Sequence, residues 1–319
     1  MMADTIFDNK SKQKQNNLVH AIAEDGSCMV LCADTTDLVA RAEWIHRPSA
    51  VVTAALGRLL TAGALMGALL KSDEDRLTLR VEGDGPVGAI LVSADSKGHV
   101  KGYPLRARIE LPLNSKGKLD VGGVIRGREE NGALKEGGLL TVIRDNGVTQ
   151  PYVGQIPLVS GEIAEDITAY YAVSEQIPTV CSLGVLVNPD LTPKAAGGFL
   201  LQMLPGGDDR TIDRLEANVK AMPSFTQMLE QGMTPEDIAR KALDGLNPQI
   251  LGTQTAEYRC DCTRDKTSRA LLTLGKTELA KLIEEDGRAE LCCHFCEKKY
   301  RYNRQELEEL LRQAVDKKD

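Results

Sequence analysis

Aromatic side chains are scarce in this chain of 319 residues, making up 4% of it with a single tryptophan. Proteins that bind single-stranded nucleic acid stack bases on such rings, so this sequence offers few stacking platforms. Positive charge is also in deficit, because 46 acidic residues outnumber 39 basic ones and give a net charge of −7. Such a chain is poorly suited to binding a phosphate backbone, and we expect no nucleic-acid partner.

Long uninterrupted apolar segments are missing as well. The first residues, MMADTIFDNKSKQKQNN, lack the apolar stretch of a secretory signal, and residues 1–16 are expected to be disordered. The longest apolar run, Val51 to Leu70, is interrupted by Arg58 and contains three glycines. It falls short of the roughly 20 continuous apolar residues of a membrane span. We therefore expect a buried helix, no membrane partner and a cytoplasmic protein.

No ordered set of acid, base and nucleophile is visible in the sequence, so we expect no enzyme. The histidines are scattered and none is near a nucleophile pattern: His20, His46, His99 and His294. Residues 83–88 match the Gly-x-Gly-x-x-Gly pattern of dinucleotide sites, which requires a helix to follow. The segment that follows, VGAILVSAD, has the character of a strand. These glycines are therefore interpreted as turn residues.

Hydrophobic periodicity predicts an α+β fold, because runs of strands occur with helices interspersed. The predicted elements are a hairpin over Leu18–Cys32 that turns at Asp25-Gly26, helices over Asp37–Arg47, Pro48–Leu70 and Ile163–Ser174, strands over Arg76–Val81, Val87–Val92, Arg106–Leu113 and Leu139–Arg144, and a second hairpin that joins Gly184–Val187 to Gly197–Leu204.

A glycine-rich break at 205–209 divides the chain. We expect a mixed α/β core domain over 17–205, a helical linker over 206–245 and a small zinc-binding domain over 246–319. The linker carries a thin apolar stripe at helical spacing, and Thr234-Pro235 is a typical helix start before a stop at Gly245. The stripe consists of Ile212, Leu215, Val219 and Met222. Short helices of this kind predict low local stability.

Four cysteines near the C-terminus form the most informative motif. Cys260 and Cys262 make a Cys-x-Cys pair, and after 30 intervening residues Cys293 and Cys296 make a Cys-x-x-Cys pair. Four thiolates are the ligand set of tetrahedral Zn²⁺, and clustered cysteines in a reducing compartment indicate metal or redox chemistry. Most such sites are structural, so spacing alone favours a permanent zinc knuckle. The closely spaced Cys-x-Cys sulfurs can also form a disulfide, which leaves a redox sensor open.

The other cysteines have different expected roles. Cys28, Cys32 and Cys181 lie in apolar strands and are expected to be buried thiols. Cys292 directly precedes Cys293. Adjacent residues of an extended segment face opposite ways, so Cys292 is expected to point away from the metal. His294 is interpreted as a surface residue or as one behind the ligands.

Segments along most of the chain resemble the bacterial redox-regulated 33-kilodalton heat-shock holdase chaperones. The resemblance runs from about Leu18 to the last helix. The matching segments include LVHAIAEDGSCMV, AALGRLLTAGALMGALLK, VEGDGPVGAILVSAD, SGEIAEDITAYYAVSEQIPTVCSLGVLVNPD and AAGGFLLQMLPG, followed by CDC, TLGKTELAKLIEEDG and CHFC. One departure is Cys292, which adds a fifth thiol that could compete in disulfide pairing.

The resemblance implies an ATP-independent holdase whose zinc ligands and redox-active cysteines are Cys260, Cys262, Cys293 and Cys296. It implies that zinc keeps the reduced form silent. Oxidation to disulfides then releases zinc, unfolds the zinc domain and linker, and yields a dimer that binds unfolded client proteins. Two alternatives are a constitutive zinc-ribbon protein that binds nucleic acid, and an enzyme. Local basic residues give the first some support: Arg259, Arg264, Lys266 and Arg269.

Overall fold

The computed structural model describes residues 17–314, which form two compact units divided between Arg259 and Cys260. The disorder predicted for 1–16 lies outside the described residues. The strands of the first unit are β1 (Leu18–Ile22), β2 (Cys28–Asp34), β3 (Arg76–Glu82), β4 (Ala89–Asp95), β5 (His99–Pro104), β6 (Leu139–Asp145), β7 (Tyr152–Pro157), β8 (Thr179–Val187), β9 (Pro193–Met203), β10 (Gln249–Gln254) and β11 (Glu257–Tyr258). Its helices are α1 (Thr36–His46), α2 (Ala50–Gly67), α3 (Val121–Arg126), α4 (Ala164–Tyr170), α5 (Asp209–Ala221), α6 (Phe225–Glu230) and α7 (Pro235–Ala242), with a π-helical turn at Tyr171–Glu175.

Two antiparallel sheets organise the first unit and confirm the α+β prediction. The five-stranded sheet has the order β10-β1-β2-β9-β8, and the six-stranded sheet has the order β11-β5-β4-β3-β6-β7. All neighbours are antiparallel except β11, which runs parallel to β5. The predicted hairpin β1–β2 is confirmed, with Gly26 in its turn at φ +71°. Glycine adopts this left-handed conformation without a steric penalty.

Helix α2 is the centre of the main core. It packs against strands of both sheets, and its residues are buried almost all round. It is long and apolar enough to cross a membrane by composition, but 89% of that window is buried inside the protein. The prediction of a buried helix is confirmed. It begins after Ser49 rather than at Pro48, and Pro48 therefore lies outside the helix.

The glycines of residues 83–88 form the turn between β3 and β4, as predicted. The Gly83 N–H donates to the Gly88 carbonyl at 3.1 Å, and a strand follows rather than a helix. A Cβ added to Gly85 would lie 2.3 Å from the backbone oxygen of Val124. Glycine is needed here because another backbone passes close by.

Residues 106–113 form no strand, so that prediction is wrong. Their backbone pairs with the start of α2 instead, since the Ser49 N–H donates to the Ala107 carbonyl at 2.9 Å and the Ser49 hydroxyl donates to the Ile109 carbonyl. Residues 249–258, which sequence analysis assigned to the zinc-binding domain, form β10 and β11 in the sheets of the first unit.

Helices α5–α7 cover the outer face of the five-stranded sheet. They form a second core with it, in which Phe225, Met228 and Ile238 are fully buried. Of the predicted stripe on α5, Leu215 is buried, whereas Ile212 is 37% exposed and does not belong to this core. Thr234 caps α7 in a capping box with Asp237, as the sequence indicates.

The second unit is small. Its elements are α8 (Arg264–Leu272), α9 (Lys276–Glu285), β12 (Ala289–Cys292), β13 (Lys299–Tyr302) and α10 (Arg304–Gln313). Strands β12 and β13 form an antiparallel hairpin, and Asn303 with Glu306 makes a capping box at the start of α10. Its core consists of Leu271, Leu279, Ile283, Tyr300, Tyr302, Leu307, Leu310 and Ala314.

Candidate metal centre

The first cysteine pair lies directly before α8. Thr263 caps this helix, since its side chain accepts a hydrogen bond from the Lys266 N–H. The cap fixes where the helix begins and leaves Cys260 and Cys262 in the non-helical segment before it. Side chains two residues apart in an extended segment face the same side. Both thiols can therefore point to one place.

The second pair lies in the tight turn between β12 and β13. The Cys293 N–H donates to the Lys298 carbonyl at 3.0 Å, and the Glu297 N–H donates to the Cys293 carbonyl at 2.8 Å. Glu297 adopts a left-handed conformation with φ +58°. This turn brings Cys293 and Cys296 to the same side.

All four sulfurs meet in one cluster. The Sγ atoms of Cys260 and Cys293 are 3.7 Å apart, those of Cys262 and Cys296 are 3.4 Å apart, and all four lie within 4.8 Å of one another. A disulfide needs about 2.05 Å, so these are separate thiols. Four sulfurs at about 2.3 Å from a zinc ion would be roughly 3.8 Å apart. The donor set and its spacing fit tetrahedral Zn²⁺.

Hydrogen bonding favours ionisation of Cys260 within the cluster. The pKa of Cys260 is lowered to about 5, chiefly because the Cys296 thiol donates to it, while the same bond raises the pKa of Cys296. The Tyr300 hydroxyl also donates toward Cys262, at 3.2 Å from its Sγ and 2.9 Å from its carbonyl oxygen. Thiolates are the form that binds metals and reacts with oxidants.

Tyr300 is the participant that sequence analysis missed. It is 6% exposed and belongs to the small core of the second unit. Its place in the sequence, four residues after Cys296, gives no sign of this role. The contact arises because the β12–β13 hairpin folds β13 back toward the first cysteine pair.

Basic side chains beside the cluster are paired with acids. Arg264 bonds Glu306 at 2.6 Å and lies 4.3 Å from the ring centre of Tyr302, while Lys266 pairs with Asp261. Guanidinium and ammonium groups engaged in this way are not aligned for a phosphate backbone. At Arg264 and Lys266, the positive charge that supported the nucleic-acid-binding alternative is therefore largely neutralised.

The remaining cysteines lie elsewhere. Cys292 is exposed and is not part of the cluster, and neither is His294. Cys28, Cys32 and Cys181 are buried, as predicted. Within residues 17–314, the four-cysteine cluster is the one group of three or more potential metal-binding side chains.

Comparison with known proteins assigns the family. The family model described as Hsp33 protein matches residues 16–303. The chain belongs to the Hsp33 family. A 33 kDa chaperonin of Clostridium botulinum strain 657 is 43% identical over 304 residues, covering 95% of this chain and all of the relative. Another from Geobacillus sp. strain WCH70 is 41% identical over 300 residues, covering 94% of this chain and 98% of the relative.

The Hsp33 fold is also shared with a solved structure. The crystal structure of the 33 kDa chaperonin of Thermotoga maritima is 37% identical, with a TM-score of 0.81. The match covers 93% of this chain and 98% of that one. The resemblance stated from the sequence is confirmed, and membership of the Hsp33 family supports a chaperone role.

Proposed function

We propose that the chain is a redox-regulated, ATP-independent holdase, silent while its four clustered cysteines hold Zn²⁺ and active once they are oxidised. The observation that carries the proposal is the four-sulfur cluster within a small unit of a chain from a chaperone family. Cys260, Cys262, Cys293 and Cys296 are both the proposed zinc ligands and the proposed redox-active residues. A bound zinc ion supplies structural cross-linking here, not catalysis.

The size of the second unit supports a fold that depends on its metal. Over the described residues 260–314, its core contains eight buried apolar residues. Zinc contributes on the order of 10 kcal/mol of folding free energy in small zinc units. A core this small supplies only a few kcal/mol on its own. Loss of the four thiolates should therefore unfold the unit.

The proposed activating chemistry is thiol oxidation by a hydroperoxide. For each pair of thiolates, one sulfur attacks an oxygen of hydrogen peroxide, and a sulfenic acid forms as the O–O bond breaks and one hydroxide leaves. The second sulfur then attacks the sulfenic sulfur, and the S–S bond forms as the S–O bond breaks and a second hydroxide leaves. Two electrons pass from the sulfurs to the peroxide, and two protons complete two water molecules. Sulfurs now about 2 Å apart cannot keep the spacing of the cluster. Exposed Cys292 can compete in the pairing.

We further propose the division of labour along the chain. Residues 17–205 form the stable core, whose sheets also include 249–258, residues 206–245 form the linker that unfolds on activation, and the zinc-binding switch extends from Cys260 to 319. The surface that this unfolding exposes then binds unfolded or aggregation-prone client proteins. The oxidised form is a homodimer. The protein acts in the cytoplasm during oxidative stress, without enzymatic activity and without nucleic-acid or membrane partners.

Light scattering of a thermally unfolding client tests this function. The zinc-loaded reduced protein should leave client aggregation unchanged, and the peroxide-treated protein should suppress it without ATP. Bovine serum albumin treated in the same way controls for nonspecific coating of the client. Equal suppression by both redox forms would rule out redox control, and no suppression by either would rule out the holdase function.

A further inference from the structure

Strand β2 places two thiols on the face of the five-stranded sheet that helices α5–α7 cover. Alternate residues of a strand point to opposite faces. Cys28, Val30 and Cys32 belong to the core beneath these helices, whereas Leu31 and Ala33 belong to the main core on the other side. Both thiols are 0% exposed.

The cover over these thiols consists of short helices. Helix α7 packs on β1 and β2, and α6 packs on β8 and β9. The buried residues they contribute to this core are Phe225, Met228, Ile238, Ala239 and Ala242. These helices are only six and eight residues long and bury few side chains each, so this layer is one of the less strongly held parts of the first unit.

Hydrogen bonds hold the end of this cover to the β1–β2 turn and hold α5 to the end of α7. The Glu24 N–H donates to the Leu246 carbonyl at 3.1 Å, and the Asn247 side chain donates to the Glu24 carboxylate at 2.9 Å. Asn218 of α5 bonds the carbonyls of Ala242 and Asp244 at 3.0 and 2.9 Å. Each hydrogen bond of this kind contributes little to the net free energy of docking, because hydrogen bonds to water readily replace it.

While the helices are docked, both thiols are inert. Burial raises the pKa of Cys28 and of Cys32, which disfavours the thiolate, and packing excludes water and small oxidants. Release of the helices would hydrate the sheet face and remove both protections together. The reactivity of these thiols is thus tied to whether the linker is docked.

We propose that Cys28 and Cys32 are a second oxidation site, which helices α5–α7 gate and which a hydroperoxide reaches only after they leave the sheet. The proposal rests on the proposed function in that the release of residues 206–245 opens the site. Oxidation here follows activation and opposes re-docking, so it prolongs the client-binding state.

The reaction at each sulfur is a two-electron oxidation to sulfenic acid. The thiolate attacks one peroxide oxygen, an S–O bond forms as the O–O bond breaks, and the leaving hydroxide takes up the thiol proton as water. The two sulfurs cannot bridge to each other within the intact strand. Residues four apart are separated by about 13 Å along a strand, whereas a disulfide needs Cα atoms within about 7 Å.

A sulfenic hydroxyl on this face would oppose the return of the helices. The site beneath α7 is lined mainly by apolar side chains, among them Ile238, Ala239 and Phe199. A polar side chain bonded to a thiol there is that of Ser27, whose hydroxyl lies 4.0 Å from the Cys28 Sγ. Burying a polar group without a hydrogen-bond partner is unfavourable, and a tightly packed core has no room for an added oxygen atom. Reduction of the sulfenic acids restores the original surface.

Cys181 provides an internal control. It is a buried thiol of β8, but it belongs to the main core, and its backbone N–H donates to the Thr168 hydroxyl of α4 at 3.1 Å. Burial raises its pKa as well. It should stay protected when helices α5–α7 leave, because other elements cover it.

The test is site-resolved labelling of the full-length protein with N-ethylmaleimide and, for sulfenic acid, dimedone, read by peptide mass spectrometry. Peroxide treatment should raise the labelling rates of Cys28 and Cys32 by at least about tenfold over the reduced protein, while Cys181 stays slow. Proteolysis within 206–245 is followed in the same samples. Cleavage there with Cys28 and Cys32 still protected would overturn the proposal but not the proposed function.

A second variant separates helix release from the zinc unit. Ile238→Asp places a carboxylate in the apolar layer and should expose Cys28 and Cys32 in the reduced protein with its zinc content unchanged. Slow labelling of Cys181 in the same sample shows that the main core stays folded. Cys28 and Cys32 that stay protected in this variant, although proteolysis cuts within 206–245, would overturn gating by these helices. The double variant Cys28→Ala/Cys32→Ala should activate normally but lose client binding faster after reductant is added. Unchanged persistence of the active state would contradict the proposed effect on re-docking.

Discussion

Cys292 and Cys293 are chemically identical neighbours in different surroundings. Cys292 ends β12 opposite Lys299 and is exposed, whereas the Sγ of Cys293 lies 3.7 Å from that of Cys260. The alternation of an extended chain separates them. This placement could be predicted from the sequence, because a Cys-x-x-Cys turn requires its first and fourth residues to converge.

Serine substitutions test that assignment. Cys292→Ser should keep about one zinc ion per chain and still activate on oxidation, with cleaner disulfides by peptide mapping. Cys293→Ser should lose most of its zinc, since three thiolates remain. Metal analysis of the purified reduced proteins distinguishes them. Zinc retained by Cys293→Ser and lost by Cys292→Ser would reverse the assignment.

Tyr300 is a residue whose role depends on a contact that sequence could not indicate. Its hydroxyl is 3.2 Å from the Sγ of Cys262, one of the four proposed zinc ligands, and donates a hydrogen bond to it. Tyr300→Phe keeps the ring in the core and removes only the hydroxyl. Partners of this kind typically affect metal affinity by 10–100-fold, so zinc affinity should fall by at least about tenfold.

Chelator competition measures this loss of affinity. Tyr103→Phe is a matched control, because this tyrosine lies in β5 of the first unit. It should leave zinc affinity unchanged. An unaltered affinity in Tyr300→Phe would show that the hydroxyl serves only the Cys262 carbonyl, from which it is 2.9 Å away.

At the scale of elements, predictions succeeded where the apolar pattern was strong. Helix α2 and hairpin β1–β2 have long apolar runs and a clear turn signal. Strand β5 was missed because its buried face is formed by Val100, Gly102 and Pro104, which do not produce an alternating pattern. A Cβ on Gly102 would lie 2.7 Å from Val92, so a larger side chain would not fit there.

Residues 106–113 show the opposite failure. Their alternation is that of a strand, but a strand also needs a neighbour to pair with, and the sequence does not record one. The backbone of this segment forms hydrogen bonds with the side chain of Ser49 instead of with a neighbouring strand. The pairing of β10 with β1 could not be read either, because the partners are far apart in sequence. Long-range pairing is decided by packing rather than by local pattern.

The linker helices depend on a few large side chains, of which Phe225 is the clearest. It is 1% exposed and lies 6.4 Å from Phe199, measured between ring centres. Phe225→Ala should lower the local free energy of unfolding by about 3–5 kcal/mol, because removal of a buried aromatic side chain leaves a cavity of that cost. Limited proteolysis should then cut within 206–245 in the reduced, zinc-loaded protein.

Ile212→Ala is the matched control for this element. Ile212 is 37% exposed, and truncating its side chain should lower the free energy of unfolding by less than about 1 kcal/mol. Its proteolysis pattern should equal that of the unaltered protein. If Phe225→Ala were equally protected, the linker would be held by contacts other than the core described for α6.

At the scale of the whole molecule, the two units differ in what holds them together. The first has two sheets around an apolar helix and a large continuous core. The second, as far as the structure describes it to Ala314, has eight buried apolar residues and four convergent thiols. Removal of zinc should therefore unfold residues from Cys260 onward and leave the first unit's sheets intact. The cysteine spacing in the sequence already indicated this asymmetry, whereas the boundary at Cys260 required the structure.

Following zinc release and client protection in one sample tests the central claim most directly. Zinc is read by a chromogenic chelator, and light scattering of a thermally unfolding client is read at the same time after peroxide is added to the reduced, zinc-loaded protein. The account predicts no protection at the start, then protection that rises together with zinc release or follows it, and reversal of both by reductant and added zinc. Full protection by the reduced protein before any zinc is released would contradict it.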